Sequence, residues 1–108
     1  MAIVTTDNVE LVKRFLAAQN LEHVGEIDGA IEIYETIVAS SFDSSGPYDR
    51  LIALYTHQAR FREVVRVCES ALTNVRTYED KRAFYDNARV EALKSAGRLP
   101  QAAPRKRR

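Results

Sequence analysis

Two segments of the chain carry the same apolar pattern at a fixed interval. The first set, spaced by three and four residues, comprises Ile27, Ala30, Ile31, Tyr34, Ile37 and Val38. Adding 34 to each number, which we call the repeat interval, gives Phe61, Val64, Val65, Cys68, Ala71 and Leu72. Even Ile33, which lies off this face, has an aliphatic counterpart in Val67. Such spacing aligns side chains along one face of a helix, so the pattern predicts an internal repeat of amphipathic helices.

Turn and capping residues place three more helices around this pair. Asp7 has the capping-box spacing with Glu10 and predicts a helix beginning at Asp7 and ending near Val24, where Gly25 can take a left-handed turn. A third helix is predicted to begin at Pro47. The capping spacing of Thr77 with Asp80 predicts a long last helix that stops at Gly97, after Ala96. The expected fold class is all-α, with five helices and no strand.

The composition indicates one small globular domain. The chain has 108 residues, of which 45% are hydrophobic and 29% charged. No apolar run approaches the roughly 20 residues of a membrane helix, and the N-terminus lacks the basic flank of a signal peptide. With Cys68 as the single cysteine, no internal disulfide can form. We therefore expect a cytoplasmic protein without membrane contact.

A unit of two helices that recurs at this interval resembles the tetratricopeptide repeat. Tyr48, Leu51, Ile52 and Tyr55 follow the spacing of the family's first helix. Ala30 and Tyr34 match its second helix, and the turn glycine corresponds to Gly25 and then to Ala59. A partial third copy keeps Leu93, Gly97 and Ala102, with Gly97 at an offset of 38 from Ala59. The resemblance covers about residues 7–102.

The resemblance implies helical-hairpin repeats in a right-handed superhelix, with a long C-terminal capping helix. The expected organisation is an N-terminal extension (1–6), a domain (7–102) and a disordered basic tail (103–108). Within the domain, repeat one covers about 7–41, repeat two about 45–75, and the capping helix or partial third repeat about 78–102.

Tetratricopeptide repeats are scaffolds that bind proteins or peptides in a concave groove. Transferred to this chain, the resemblance implies a groove lined by Phe15, Gln19, Glu22, His23, Asp49, Arg50, Ala53, Thr56, His57, Asn87, Glu91 and Lys94. One subclass binds the C-terminal carboxylate of heat-shock chaperones through a Lys/Asn/Arg clamp. That clamp is not assembled here, because only Gln19 and Arg50 are polar at the matching positions. The expected partner is thus a protein or peptide of another kind.

An enzyme is not expected. Cys68 lies among apolar residues with no base nearby, and Gly25 and Gly29 fit no phosphate-binding loop. His23 and His57 occupy equivalent positions, which stacked repeats would hold about 10 Å apart, too far to share one metal ion. The sequence therefore predicts no catalytic residue, no metal site and no cofactor.

The charge distribution leaves alternatives open. Residues 1–45 carry a net charge of −6 (two basic and eight acidic residues), and residues 46–108 carry +7 (14 basic and seven acidic). The basic half, with its tail residues Arg105, Lys106, Arg107 and Arg108, is typical of a module that binds nucleic acid or another polyanion. The same split fits an ordinary solvated surface.

A third alternative is head-to-tail self-association, a homo-oligomer formed through the incomplete third repeat. In this hypothesis an acidic set faces a basic set of a neighbouring copy and two leucines add apolar contact: Glu26, Asp28, Glu32 and Glu35, then Arg89, Lys94 and Arg98, then Leu93 and Leu99.

Overall fold

The computed structural model describes residues 2–76 and 80–98, which form five α-helices. These are α1 (Ala2–His23), α2 (Ile27–Ala39), α3 (Gly46–His57), α4 (Phe61–Asn74) and α5 (Arg82–Arg98). Each helix packs against the next one along the chain. No strand occurs in the described ranges, so the prediction of an all-α fold is confirmed.

The outer ends of the first and last helices differ from the prediction. The first helix begins at Ala2 and not at Asp7, because no glycine or proline interrupts the preceding residues. The last helix begins at Arg82, whose backbone N–H donates to the Asp80 carboxylate at 3.0 Å, whereas Thr77 lies outside the described residues. It continues through Gly97, which does not end the helix.

Two corners of the chain, at positions that differ by the repeat interval, have the same geometry. Gly25, between α1 and α2, and Ala59, between α3 and α4, have left-handed φ angles of +88° and +57°. The residue after each corner donates its N–H to the carbonyl of Leu21 and of Tyr55, respectively, both at 2.8 Å. This conformation costs a residue with a Cβ atom roughly 1–2 kcal/mol. At Ala59 the packing of the surrounding helices must therefore offset this cost.

The core follows the predicted face in α2 but a rotated face in α4. In α2, the buried residues are Ala30, Ile31, Tyr34, Ile37 and Val38, as predicted. In α4, Val67 is completely buried, although it was predicted to lie off the core face. Val65 and Leu72 are only half-buried. The difference arises because α5 packs on α4, while the side of α4 that carries Val65 borders an open groove.

Candidate binding cleft

Phe15, expected in the concave groove, is a packing residue. Its ring lies 5.8 Å from the ring of Tyr34. A Cβ atom added at Gly46 would come within 2.8 Å of the same ring, so this glycine permits the close approach of α1 to the start of α3. Phe15 is therefore engaged between helices, and only part of its surface reaches solvent.

Glu22, also expected to face a ligand, is paired inside the protein. Its carboxylate accepts hydrogen bonds from Arg50 Nη2 at 2.6 Å, Arg50 Nε at 3.0 Å and the Tyr34 hydroxyl at 2.5 Å. The bidentate ion pair with Arg50 holds the pKa of Glu22 below its usual value, and burial raises the pKa of Tyr34. The group connects α1, α2 and α3.

Two further carboxylates are held in the same way. Glu35 accepts hydrogen bonds from the buried Tyr55 and, at 2.6 Å, from Arg66 Nη2, which connects α2, α3 and α4. Asp49, another predicted groove residue, accepts from Tyr85 at 2.8 Å and from Lys81. We call these three groups the carboxylate bridges.

The carboxylate bridges account for part of the opposite net charge of the N-terminal and C-terminal halves. The pairs Glu22–Arg50 and Glu35–Arg66 each join an acidic residue of 1–45 to a basic residue of 46–108. Opposite charge in the two halves thus stabilises the contacts of α1 with α3 and of α2 with α4, and these groups are not free to attract an external partner.

We expect stability to fall in acid through Glu22. Because its pKa is lower in the folded protein, the stabilisation is complete above the unfolded value of 4.5 and is lost as the pH falls through the lowered pKa. Glu22→Gln is expected to cost about 1 kcal/mol at pH 7, a small value because Arg50 is partly exposed. Urea unfolding from pH 7 to pH 2 should show this difference shrinking below pH 4.5. A difference that stays constant down to pH 2 would contradict the pairing.

The remaining predicted groove residues lie at the surface. They are Gln19, His23, Ala53, Thr56, His57, Asn87, Glu91 and Lys94. Lys94 Nζ lies 3.7 Å from a Glu91 oxygen, a loose contact between exposed side chains. Of this set, the structure brings Thr56 and Glu91 together at the rim of one cleft.

This cleft lies between α3, α4 and α5 and has a volume of about 220 Å³. Its apolar lining is contributed by Phe61, Val64, Ala88 and Ala92. Its polar lining is Thr56, Glu91 and Ser95. We call it the α5 cleft. An apolar floor with a few polar groups at the edge is the usual composition of a ligand-binding site.

Small residues of α5 account for this space. Tyr48 and Tyr55 are buried in α3, and adding 37 to their numbers gives Tyr85 and Ala92, which are buried in α5. Where α3 fills its core with the large side chain of Tyr55, α5 therefore carries only a methyl group. The same offset matches Leu51 with Ala88. The structure thus favours an offset of 37 over the value of 38 expected from Gly97.

The single thiol is buried, and the described residues form no group of metal ligands. Burial raises the pKa of the Cys68 thiol to about 11, so it stays protonated at neutral pH. No three His, Cys, Asp or Glu side chains among the described residues are grouped to hold a metal ion. Within the same ranges, none of the helices combines the length and apolar character needed to cross a membrane.

Comparison of the chain with protein-family models, with curated proteins and with solved structures finds no match. The assignment of a function therefore depends on the geometry of the α5 cleft and its surroundings.

Proposed function

We propose that this protein is a non-enzymatic interaction scaffold that binds a peptide segment of a partner protein in the α5 cleft. Its fold in this proposal is a tetratricopeptide-like domain, two helical hairpins in a right-handed superhelix with α5 as the capping helix. The observation that carries the proposal is a cleft of about 220 Å³ with an apolar floor and a polar rim. The repeated corners at Gly25 and Ala59 support the fold.

The size of the α5 cleft fits one large apolar side chain. Apolar cavities of about 150 Å³ accept a molecule the size of benzene, so the α5 cleft has room for a leucine or phenylalanine side chain. Phe61 and Val64 would contact it from α4, and the methyl groups of Ala88 and Ala92 from α5. Burial of such a side chain is worth about 1.5–3 kcal/mol.

The rim of the α5 cleft favours a basic neighbour in the peptide. The Glu91 side chain is 70% exposed and its only cationic contact among the described residues is the loose one to Lys94. Thr56, on α3, offers a hydroxyl that can donate to a peptide carbonyl or accept from a peptide N–H. The class of ligand is thus a segment with a large apolar residue beside a lysine or arginine.

A displayed library of random peptides tests the proposal directly. Peptides selected on the wild-type protein are expected to share one leucine, phenylalanine or methionine with an adjacent basic residue. Counter-selection against Ala88→Leu, which fills the cleft, should leave that sequence class enriched. Enrichment of acidic peptides, or of none, would contradict the proposal.

Polyanion binding stays a prediction. Its tail residues Arg105, Lys106, Arg107 and Arg108 lie outside the described residues. Within the described C-terminal half, Arg50, Arg66, Lys81 and Arg89 are in ion pairs with carboxylates of the same chain. No observation among the described residues favours a nucleic-acid interface over the α5 cleft.

A further inference from the structure

The two outermost helices each expose a strip of large apolar side chains. On α1 the strip comprises Val9, Val12 and Leu16, which are 47–54% exposed and spaced by three and four residues. On α5 it comprises Val90 and Leu93, which are 41% and 50% exposed. We call these the α1 strip and the α5 strip. About half of each of these side chains is exposed to solvent.

The position of each strip follows from the contact between α1 and α3. There, Glu22 on α1 points forward to Arg50 on α3. Leu16 precedes Arg50 by the repeat interval and therefore has the same position on α1 that Arg50 has on α3. From this position a side chain contacts the helix that precedes its own in the stack. Adding the repeat interval of 34 to Glu22 gives Thr56 on α3. Adding the offset of 37 between α3 and α5 to Thr56 gives Leu93 on α5. Leu93 thus takes the place on α5 from which a side chain reaches forward to a following helix.

We infer that the α5 strip of one molecule packs against the α1 strip of a second copy. In this head-to-tail contact Leu93 meets Leu16 of the second copy, an apolar pair in the position that the Glu22–Arg50 ion pair occupies inside the molecule. Leu93 also borders an open groove of about 430 Å³ between α4 and α5, lined with Val65, Ala96, Gly97 and Arg62. This groove gives room for the valines of the α1 strip.

The opposite net charge of the two halves favours a head-to-tail orientation, whereas the exposed residues within the α1 strip itself include the basic Lys13 and Arg14, of which Arg14 contacts Glu10. The N-terminal half exposes Glu26, Asp28 and Glu32 and has a net charge of −6 over residues 1–45. The C-terminal half exposes cations beside the α5 strip, at Lys94 and Arg98. Such complementarity orients an association more than it strengthens it.

Three residues that the sequence analysis assigned to the self-association contact do not contribute to it here. Glu35 is paired with Arg66, and Arg89 with Asp86, in the same molecule. Leu99 lies outside the described residues. The apolar part of the contact therefore rests on Leu16 and Leu93, and the charged part on the remaining exposed groups.

A head-to-tail contact uses two different surfaces, so each molecule keeps a free end and the assembly can grow beyond a dimer. We expect light scattering coupled to size exclusion to show a mass that rises with protein concentration. Salt above physiological strength, where the Debye length falls below about 8 Å, should weaken this association without abolishing it.

Two single variants and their mixture test the geometry. Leu16→Glu blocks the α1 strip and Leu93→Glu blocks the α5 strip, and each variant alone should be monomeric. An equimolar mixture should form a 1:1 complex that grows no further, because Leu16→Glu retains an intact α5 strip and Leu93→Glu an intact α1 strip. Ala53→Glu adds the same charge to an exposed site on the middle helix and should associate like the wild type.

Three results would overturn the inference. They are a wild-type protein that stays monomeric at high concentration and low salt, a variant that still dimerises alone through two copies of one strip, and a mixture that shows no complex. Circular dichroism of both variants verifies that these exposed substitutions leave the fold intact. Peptide binding to monomeric Leu16→Glu is measured separately, so the two proposals fail or stand independently.

Discussion

Replacing Tyr85 with alanine is expected to lower the free energy of unfolding by about 3–5 kcal/mol. Tyr85 is 1% exposed and is the largest buried side chain of α5. Truncation removes its contacts and leaves a cavity where α5 packs on the rest of the domain. Small domains are stabilised by only roughly 5–15 kcal/mol, so the loss is a large fraction of the total. Urea unfolding followed by circular dichroism measures it.

The matched control for this change is Tyr85→Phe. Phenylalanine keeps the ring, including its edge-to-face contact with Phe84 at 5.2 Å, and removes only the hydroxyl that donates to Asp49. The expected cost is about 1 kcal/mol, because Asp49 keeps its hydrogen bond with Lys81. If the alanine variant were as stable as the phenylalanine variant, Tyr85 would not anchor α5.

Replacing Ala88 with leucine is expected to weaken peptide binding by about 10- to 100-fold. The added side chain occupies the space in the α5 cleft that the apolar residue of the peptide needs. The size of the effect follows from the lost burial, worth about 1.5–3 kcal/mol, at about 1.4 kcal/mol for each factor of ten. Isothermal titration calorimetry with a selected peptide measures the dissociation constant.

Ala39→Leu serves as the control for Ala88→Leu. Ala39 is the exposed last residue of α2 and does not line the α5 cleft, so the same substitution there should leave affinity unchanged. Equal affinities of both variants for the peptide would show that it binds elsewhere.

The sequence was sufficient to predict five helices and the corners between them, but not where the first helix begins or the last one ends. A left-handed turn was predicted at Gly25, Ala59 was matched to it through the turn glycine of the tetratricopeptide pattern, and both have left-handed backbone. Apolar spacing also identified the whole buried face of α2. It failed at Val67, because the core face of α4 depends on which neighbours cover it. A periodic pattern shows that a helix has an apolar face but not where the next helix packs.

The candidate site was harder to predict for two reasons. Glu22, Asp49 and Arg50 look like free groove residues in sequence, since their hydrogen-bond partners lie far away along the chain, on other helices or just before α5. The α5 cleft exists because Ala88 and Ala92 carry methyl groups and not large side chains. In the sequence, Ala88 and Ala92 stand at the positions that correspond to Leu51 and Tyr55. This correspondence can be recognised only when the offset of 37 between α3 and α5 is known.

The most direct test of the α5 cleft as the binding site is a methyl NMR spectrum of the protein with 13C-labelled alanine. On saturation with a selected peptide, the methyl signals of Ala88 and Ala92 are expected to shift, while that of Ala39 stays in place. A shift confined to Ala96, which lines the outer groove between α4 and α5, or no shift at any alanine, would contradict the proposed site.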